Sequence, residues 1–525
     1  MISAIAHLFR LARAGFVFAR EGVLALVDTK PLPLGTKWAV ALGRLIERRG
    51  AGEGSSRLAA ALTRLGPTYV KLGQFLATRP DVVGQTIARD LESLQDKMPA
   101  FPQGEAEATI AAALGKPVKQ VYVSFGPAVA AASIAQVHRA EIEENGERKA
   151  VAVKVLRPDI ERRFQADLAA FFFVARKAEA FSTEAQRLRL VEVVHTLARS
   201  VALEMDFRLE AAACSEMAEN TKEDADFRVP TVNWDRTARE VLTLEWIDGT
   251  RLADHDALSA KGFDLALLGR TVIQSFLRHA LRDGFFHADM HPGNLFIDDE
   301  GRLVAVDFGI MGRLGPKERR FLAEILFGFI TRDYMRTAQI HFDAGYVPRH
   351  HSVESFAQAI RAIGEPIHNR TAEDISMAKL LTLLFEVTGL FDMRTRPELL
   401  LLQKTMVVVE GVARSLDPKL DMWTTADPVV REWIARNLGP VGKLEGAVEG
   451  AGEIGRFVGQ VPSLLTRAGT LLDHLDEITR DGFVLSPDTV EAIGRAEARR
   501  NRWTAAALWI IALLLLWIGF MVFWG

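Results

Sequence analysis

The chain has 525 residues, 49% hydrophobic and 25% charged, the proportions of an ordinary globular protein of roughly two to four domains. Its 64 Lys and Arg against 67 Asp and Glu give a net charge of −3, which leaves no electrostatic footprint for wholesale nucleic-acid binding. The single cysteine, Cys214, excludes an intramolecular disulfide framework and a zinc site built on several thiolates, and it suits a reducing compartment.

Met1 to Asp28 is rich in Ile, Leu and Phe, but Arg10, Arg13, Arg20 and Glu21 interrupt it. It lacks the unbroken apolar core of a secretory signal; an amphipathic helix lying on a membrane surface or on the main domain fits it. Residues 29–58, with Pro31, Pro33 and a Gly/Ser cluster at 50–56, read as a linker. A helical pattern then runs from about Arg57 to Leu114. From Lys119 the period shifts to strands over 119–125, 133–142 and 151–156, with Glu144–Arg148 as a hairpin turn. Helices are predicted from Asp159 to about Asn220 and strands over 228–232 and 241–247. After Leu265 the pattern is mostly helical, broken by a β-rich stretch around 285–310. No fixed-period repeat is present.

The end of the sequence carries a different signal. Residues 439–485 are glycine-rich and read as a tether. From Trp503 to Trp524 only Thr504 and Gly519 among 22 residues are not apolar. At about 1.5 Å per residue such a helix spans roughly 33 Å, enough to cross a bilayer. Arg495, Arg499, Arg500 and Arg502 precede it and would place the main domain in the cytoplasm. The expected fold class is therefore α+β with a C-terminal transmembrane helix.

The chemistry lies in the β-rich stretches. Asp289 is followed five positions later by Asn294, and thirteen residues beyond comes Asp307-Phe308-Gly309 after the apolar strand 303–306. Phosphoryl transfer needs a carboxylate facing the acceptor, and an amide plus a second carboxylate to hold Mg²⁺ against the phosphates. Each piece alone is weak, but the ordered pair matches the catalytic and metal loops of the kinase-like fold. Lys154 lies in the apolar strand 151–156, where a lysine is costly to desolvate unless phosphates and a carboxylate pair with it. Glu204, Asp206 and Glu210 are the available carboxylates, and the 56-residue gap from Lys154 to Glu210 implies a helical insertion. The loop expected to cradle phosphates, Pro127–Val137, carries alanines where kinases place glycines, so nucleotide should be held differently. His287, Asp289 and His291 alternate as a metal cluster would, but alternation there more simply orients a catalytic loop. Cys214 reads as core.

Five motifs together carry a resemblance: Lys71-Leu-Gly-Gln74, the Ala-rich loop ending Ala-Ser-Ile-Ala-Gln-Val-His138, Glu204-x-Asp206, His287-Ala-Asp-Met-His-Pro-Gly-Asn294 and Val306-Asp-Phe-Gly309. Over roughly residues 60–420 the chain resembles the UbiB family of atypical kinase-like proteins. The resemblance implies a bilobal protein-kinase-like fold with an N-terminal helical extension, ATP and Mg²⁺ as cofactors, and ATPase activity supporting aerobic ubiquinone (coenzyme Q) biosynthesis. In the family's pattern Lys154 contacts the α/β-phosphates with Glu210 as its partner, Asn294 and Asp307 hold Mg²⁺, and Asp289 is the general base. ATP contact falls to Ala130, Ala131, Ala132, Ser133, Ile134, Ala135, Gln136, Val137 and His138. Lys71 and Gln74 regulate from the extension, facing Glu204 and Asp206 and occluding protein substrates. Implied partners are membrane lipids, polyprenylated phenol intermediates and other enzymes of the pathway, at a bacterial inner membrane; a homodimer stays open. The expected domains are an N-terminal segment and linker (1–58), extension (59–118), N-lobe with insertion (119–250), helical C-lobe (251–438), tether (439–502) and anchor (503–524). A small-molecule or protein phosphotransferase and a non-catalytic scaffold of the quinone pathway are the alternatives.

Overall fold

A computed structural model describes residues 2–23, 47, 55–77, 79–92, 94, 98–181, 183–365, 387, 389–393 and 397–438. The chain opens with helix α1 (Ile2–Arg20), followed by α2 (Ser55–Leu65), α3 (Pro67–Ala77) and α4 (Gln85–Glu92). Ala14 and Val17 of α1 are buried in one apolar cluster with Leu62, Leu65, Tyr69, Val70 and Leu91. Arg10 reaches Asp167 at 2.7 Å, so α1 packs on the main body, one of the two placements its amphipathic pattern left open.

After α5 (Gln103–Leu114) comes a four-stranded antiparallel sheet in the order β1-β2-β3-β5, built from β1 (Ser124–Ala131), β2 (Ala135–Glu144), β3 (Glu147–Leu156) and β5 (Val241–Glu245). The β2–β3 hairpin turns at Asn145 and Gly146, both with positive φ (55° and 81°), as a tight two-residue turn demands. One face of the sheet buries Ala140, Ile142, Val151, Val153 and Val155 against Ala106 and Ile110 of α5. The other carries Val137, Lys154 and Leu242 in register across three strands and faces the cleft.

Between β3 and β5 lie α6 (Ile160–Phe181), α7 (Leu190–Glu204) and α8 (Phe207–Asn220), the insertion the long gap implied. The second half of the body is helical: α9 (Leu265–Arg278), α10 (Pro316–Ile330), α11 (Tyr334–Asp343), α12 (Val353–Gly364), α13 (Pro397–Leu416) and α14 (Met422–Leu438). It carries one small sheet of β4 (Phe227–Arg228), β9 (Leu303–Ala305), β8 (Leu295–Ile297) and β6 (Thr250–Arg251), and another of β7 (Phe285–His287) with β10 (Met311–Arg313). These two sheets hold between them the loops that carry Asp289, Asn294 and Asp307.

Three expectations change. Only the end of 119–125 is strand: Pro117 caps a helical turn, Val118–Val121, and buried Tyr122 hydrogen-bonds Thr243 at 2.8 Å, so β1 begins at Ser124. Most of the Ala-rich loop is strand, because β1 runs through Ala131 and β2 starts at Ala135; the turn is Ala132–Ile134. The transmembrane helix in the expected fold class is also corrected. Among the described residues no helix is long and apolar enough to cross a membrane. Residues 503–524, on which that expectation and the inner-membrane location rested, lie outside the described residues, as do most of the linker and the tether.

Candidate active site

The Lys154 ammonium lies 2.9 Å from both Glu210 carboxylate oxygens and 3.1 Å from Asp307 Oδ1. β3 aims it into the cleft; Glu210 comes from the first turn of α8, whose entry is capped by Asp206 accepting from the Arg208 N–H at 3.2 Å. Burial works against the ammonium, but the Asp307 and Glu210 charges outweigh it and hold its pKa above the ordinary lysine value. Glu210 is the loser in this contest: burial and the Asp307 charge push its carboxyl up to about 7 although Lys154 opposes them. Asp307, half exposed, is held well below the usual carboxylate range, first by the Lys154 ammonium, with Lys71 adding a further positive field. Its backbone is left-handed, at φ 66°, a conformation that Asp and Asn tolerate better than other residues with a Cβ.

The catalytic loop is braced from beneath. Buried His287 donates from Nε2 to the Val306 carbonyl at 3.1 Å and accepts the Asp289 N–H on Nδ1 at 3.1 Å; burial depresses its pKa and keeps it neutral. Both ring nitrogens are therefore committed to the loop, which disposes of the metal-cluster reading. Asn294 Nδ2 donates to the Asp289 backbone oxygen at 3.1 Å and to its carboxylate at 3.3 Å. That leaves Asn294 Oδ1 as the atom a cation would meet. His291 caps the short turn at Pro292–Asn294 by accepting the Gly293 N–H at 3.0 Å.

From the extension, Lys71 on α3 pairs with Glu204 at the end of α7 at 2.6 Å, with both side chains largely buried. Gln74 lies three residues along the same helix and is half-buried. Asp206 turns to Arg208 at 2.6 Å. Gly73 explains itself sterically: a Cβ there would run into Leu94 and Leu62.

The residues assigned to ATP contact divide by strand face. Val137 stands opposite Lys154 in the cleft. Gln136 and His138 point the other way: Gln136 bonds both backbone groups of Phe101, and His138 bonds the Gly126 carbonyl at 2.9 Å. Ala130 and Ala131 end β1, Ala135 opens β2, and Ala132, Ser133 and Ile134, whose side chain is buried in the core, form the turn between them. Arg157 was missed by sequence reasoning. Its guanidinium donates twice to the Ala132 carbonyl, at 3.1 and 2.8 Å, and once to the Pro99 carbonyl at 2.8 Å, and it stacks 5.4 Å over Phe101. An arginine next to a strand end carries no local signal for reaching back across a hairpin.

Residues 93–341 match the ABC1 atypical kinase-like domain and residues 360–421 the UbiB helical domain. A probable protein kinase UbiB from Marinobacter nauticus is 39% identical over 446 residues, 84% of this chain and 81% of that protein. The chain belongs to the UbiB family. Another relative named probable protein kinase UbiB, from Azotobacter vinelandii, is 38% identical and covers 89% of this chain and 87% of its own length. Among solved structures, Rv3197 of Mycobacterium tuberculosis, determined with erythromycin, aligns at a TM-score of 0.51 and 23% identity over 75% of this chain and 95% of its own, a likeness of fold. UbiB membership makes the chain an atypical kinase-like protein of ubiquinone biosynthesis and implies ATP with Mg²⁺. The donor set fits that implication: a carboxylate with a depressed pKa, an amide oxygen and a buried lysine are the ligands hard Mg²⁺ and phosphate oxygens take.

Proposed function

We propose that this chain binds Mg-ATP between Lys154 and Asp307 and hydrolyses it in support of ubiquinone synthesis, acting on polyprenylated phenol intermediates or on the enzymes of the hydroxylation steps. The observation that carries the reading is one ammonium shared by two carboxylates in a largely buried cleft, with Asp289 and Asn294 on the adjoining loop. Bound Mg²⁺ would supply positive charge to the phosphates. Lys154 would leave Asp307 for the α/β-phosphates while keeping Glu210. Asn294 Oδ1 and Asp307 would hold the metal. Asp289, fixed at its N–H by His287, would accept the proton of the attacking water. The Lys71–Glu204 pair supports a site closed to protein acceptors, because it docks the extension helix beside the cleft.

The test is ADP release from Mg-ATP by the purified chain, with and without a micelle-solubilised polyprenyl phenol. The reading expects slow basal release, raised several-fold by the phenol and not by a polyprenol of the same length. Equal rates under all conditions would remove the lipid reading, and steady transfer of label to added protein substrates would favour an ordinary kinase.

A further inference from the structure

Far along the chain from the nucleotide residues, in the helical half, two consecutive histidines and an aspartate converge. His350 Nε2 lies 3.6 Å and His351 Nε2 3.3 Å from the same oxygen of Asp392, and the imidazole rings are 4.1 Å apart. The three ligand atoms all lie within 4.8 Å of one another. Consecutive side chains in extended backbone point to opposite sides. Here a turn closed by the His351 N–H on the Pro348 carbonyl at 3.2 Å brings both rings to one side. Asp392 meets them from a second turn, in left-handed backbone at φ 48°, 41 residues on.

We propose that His350, His351 and Asp392 form a site for a divalent transition metal, with zinc the ion the donor set fits. Tetrahedral zinc with bonds of about 2.0–2.1 Å places its ligand atoms about 3.3–3.4 Å apart, which the two histidine–aspartate separations of 3.3 and 3.6 Å already approach, while the two imidazole nitrogens, within 4.8 Å of each other, would close up as the rings turn. Two imidazoles and a carboxylate suit zinc and its neighbours and select against Mg²⁺, which takes oxygen ligands, so this site would not compete for the nucleotide's metal. Three protein ligands leave a fourth position for water. Asp392 and His350 are about two-thirds exposed (68% and 66%), which gives the ion an entry path. His351, only 20% exposed, packs its ring 5.2 Å from Phe391, and Phe391 packs 4.9 Å from Phe356 of α12. A metal here would staple the turn before α12 to the turn at Asp392, beside the Phe356–Phe391 contact.

The test uses the full chain, stripped with a chelator and then dialysed. Calorimetric titration with zinc chloride, and with Co²⁺ for its visible tetrahedral bands, should show one site per chain and a higher melting temperature; Mg²⁺ at the same concentration should show neither. His350→Ala, at an exposed position, should weaken zinc binding at least about tenfold and abolish the cobalt bands without changing the melting temperature of the metal-free protein. Asp392→Ala should do the same to binding. Undiminished binding in both variants, or no binding by the parent chain, would overturn the proposal.

Discussion

Glu210 gives the site a pH signature. Its folded-state value of about 7 lies above the ordinary 4.5, so between those values the folded protein binds more protons than the unfolded chain. The associated stability is fully present below about pH 4.5 and is lost as pH rises through about 7. Asp307 has the opposite sign: its depressed value contributes stability above the ordinary carboxylate range that is lost as pH falls. Glu210→Gln should therefore narrow the gap with the parent chain at low pH, where the parent carboxyl is protonated. The parent's melting temperature should fall relative to the variant between pH 4.5 and 7 in parallel thermal melts. A constant difference across that range would mean Glu210 stays ionised beside Lys154. The residue types of this site were legible as a set because Asp289, Asn294 and Asp307 fall in order within nineteen residues. Composition alone left three carboxylates within seven residues open as the lysine's partner; the family resemblance named Glu210, and the turn into α8 sends Glu204 to Lys71 and Glu210 to Lys154.

Elements were readable where periodicity acted alone. The alternation in β2 and β3 and the Asn145-Gly146 turn mark that hairpin plainly. The alanine run did not reveal its structure, because small side chains carry no face preference, and β1 absorbed much of what looked like loop. Arg157 then holds the remaining turn. Arg157→Ala removes two hydrogen bonds from the Ala132 carbonyl and one from Pro99, and should raise the ATP concentration needed for half-maximal ADP release several-fold more than it lowers the maximal rate. A matching loss in both, or none, would mean the turn keeps its shape without the clamp. Packing sets the second element-level expectation. In an open helix Gly73→Ala would stabilise by about 1 kcal/mol. Here the new methyl meets Leu94 and Leu62, so a loss of about 1–3 kcal/mol is expected, read as a lower midpoint in denaturant melts.

At the scale of the molecule, the extension is docked on the kinase-like body by α1 on α6, by Tyr69 edge-on to Phe171 at 5.2 Å, and by Lys71 on Glu204. This arrangement was legible only through the joint resemblance of five motifs, because no local pattern says that a helix near residue 71 meets one ending at residue 204. It also places a positive charge in the field of Asp307. Lys71→Ala should therefore strengthen Mg²⁺ binding at the nucleotide site, seen as a lower Mg²⁺ midpoint in ATP-binding titrations; an unchanged midpoint would mean the Lys71 field is screened. Asp307 is proposed as the charge that holds the metal, and Asp307→Asn tests that role most directly, since Asn keeps the side-chain shape and tolerates the left-handed backbone. The measurement is the thermal shift on adding Mg-ATP to the parent and to the variant. A clear upward shift is expected in the parent, none in the variant, and closely similar melting temperatures without nucleotide; equal Mg-ATP stabilisation of both proteins would contradict the role given to Asp307.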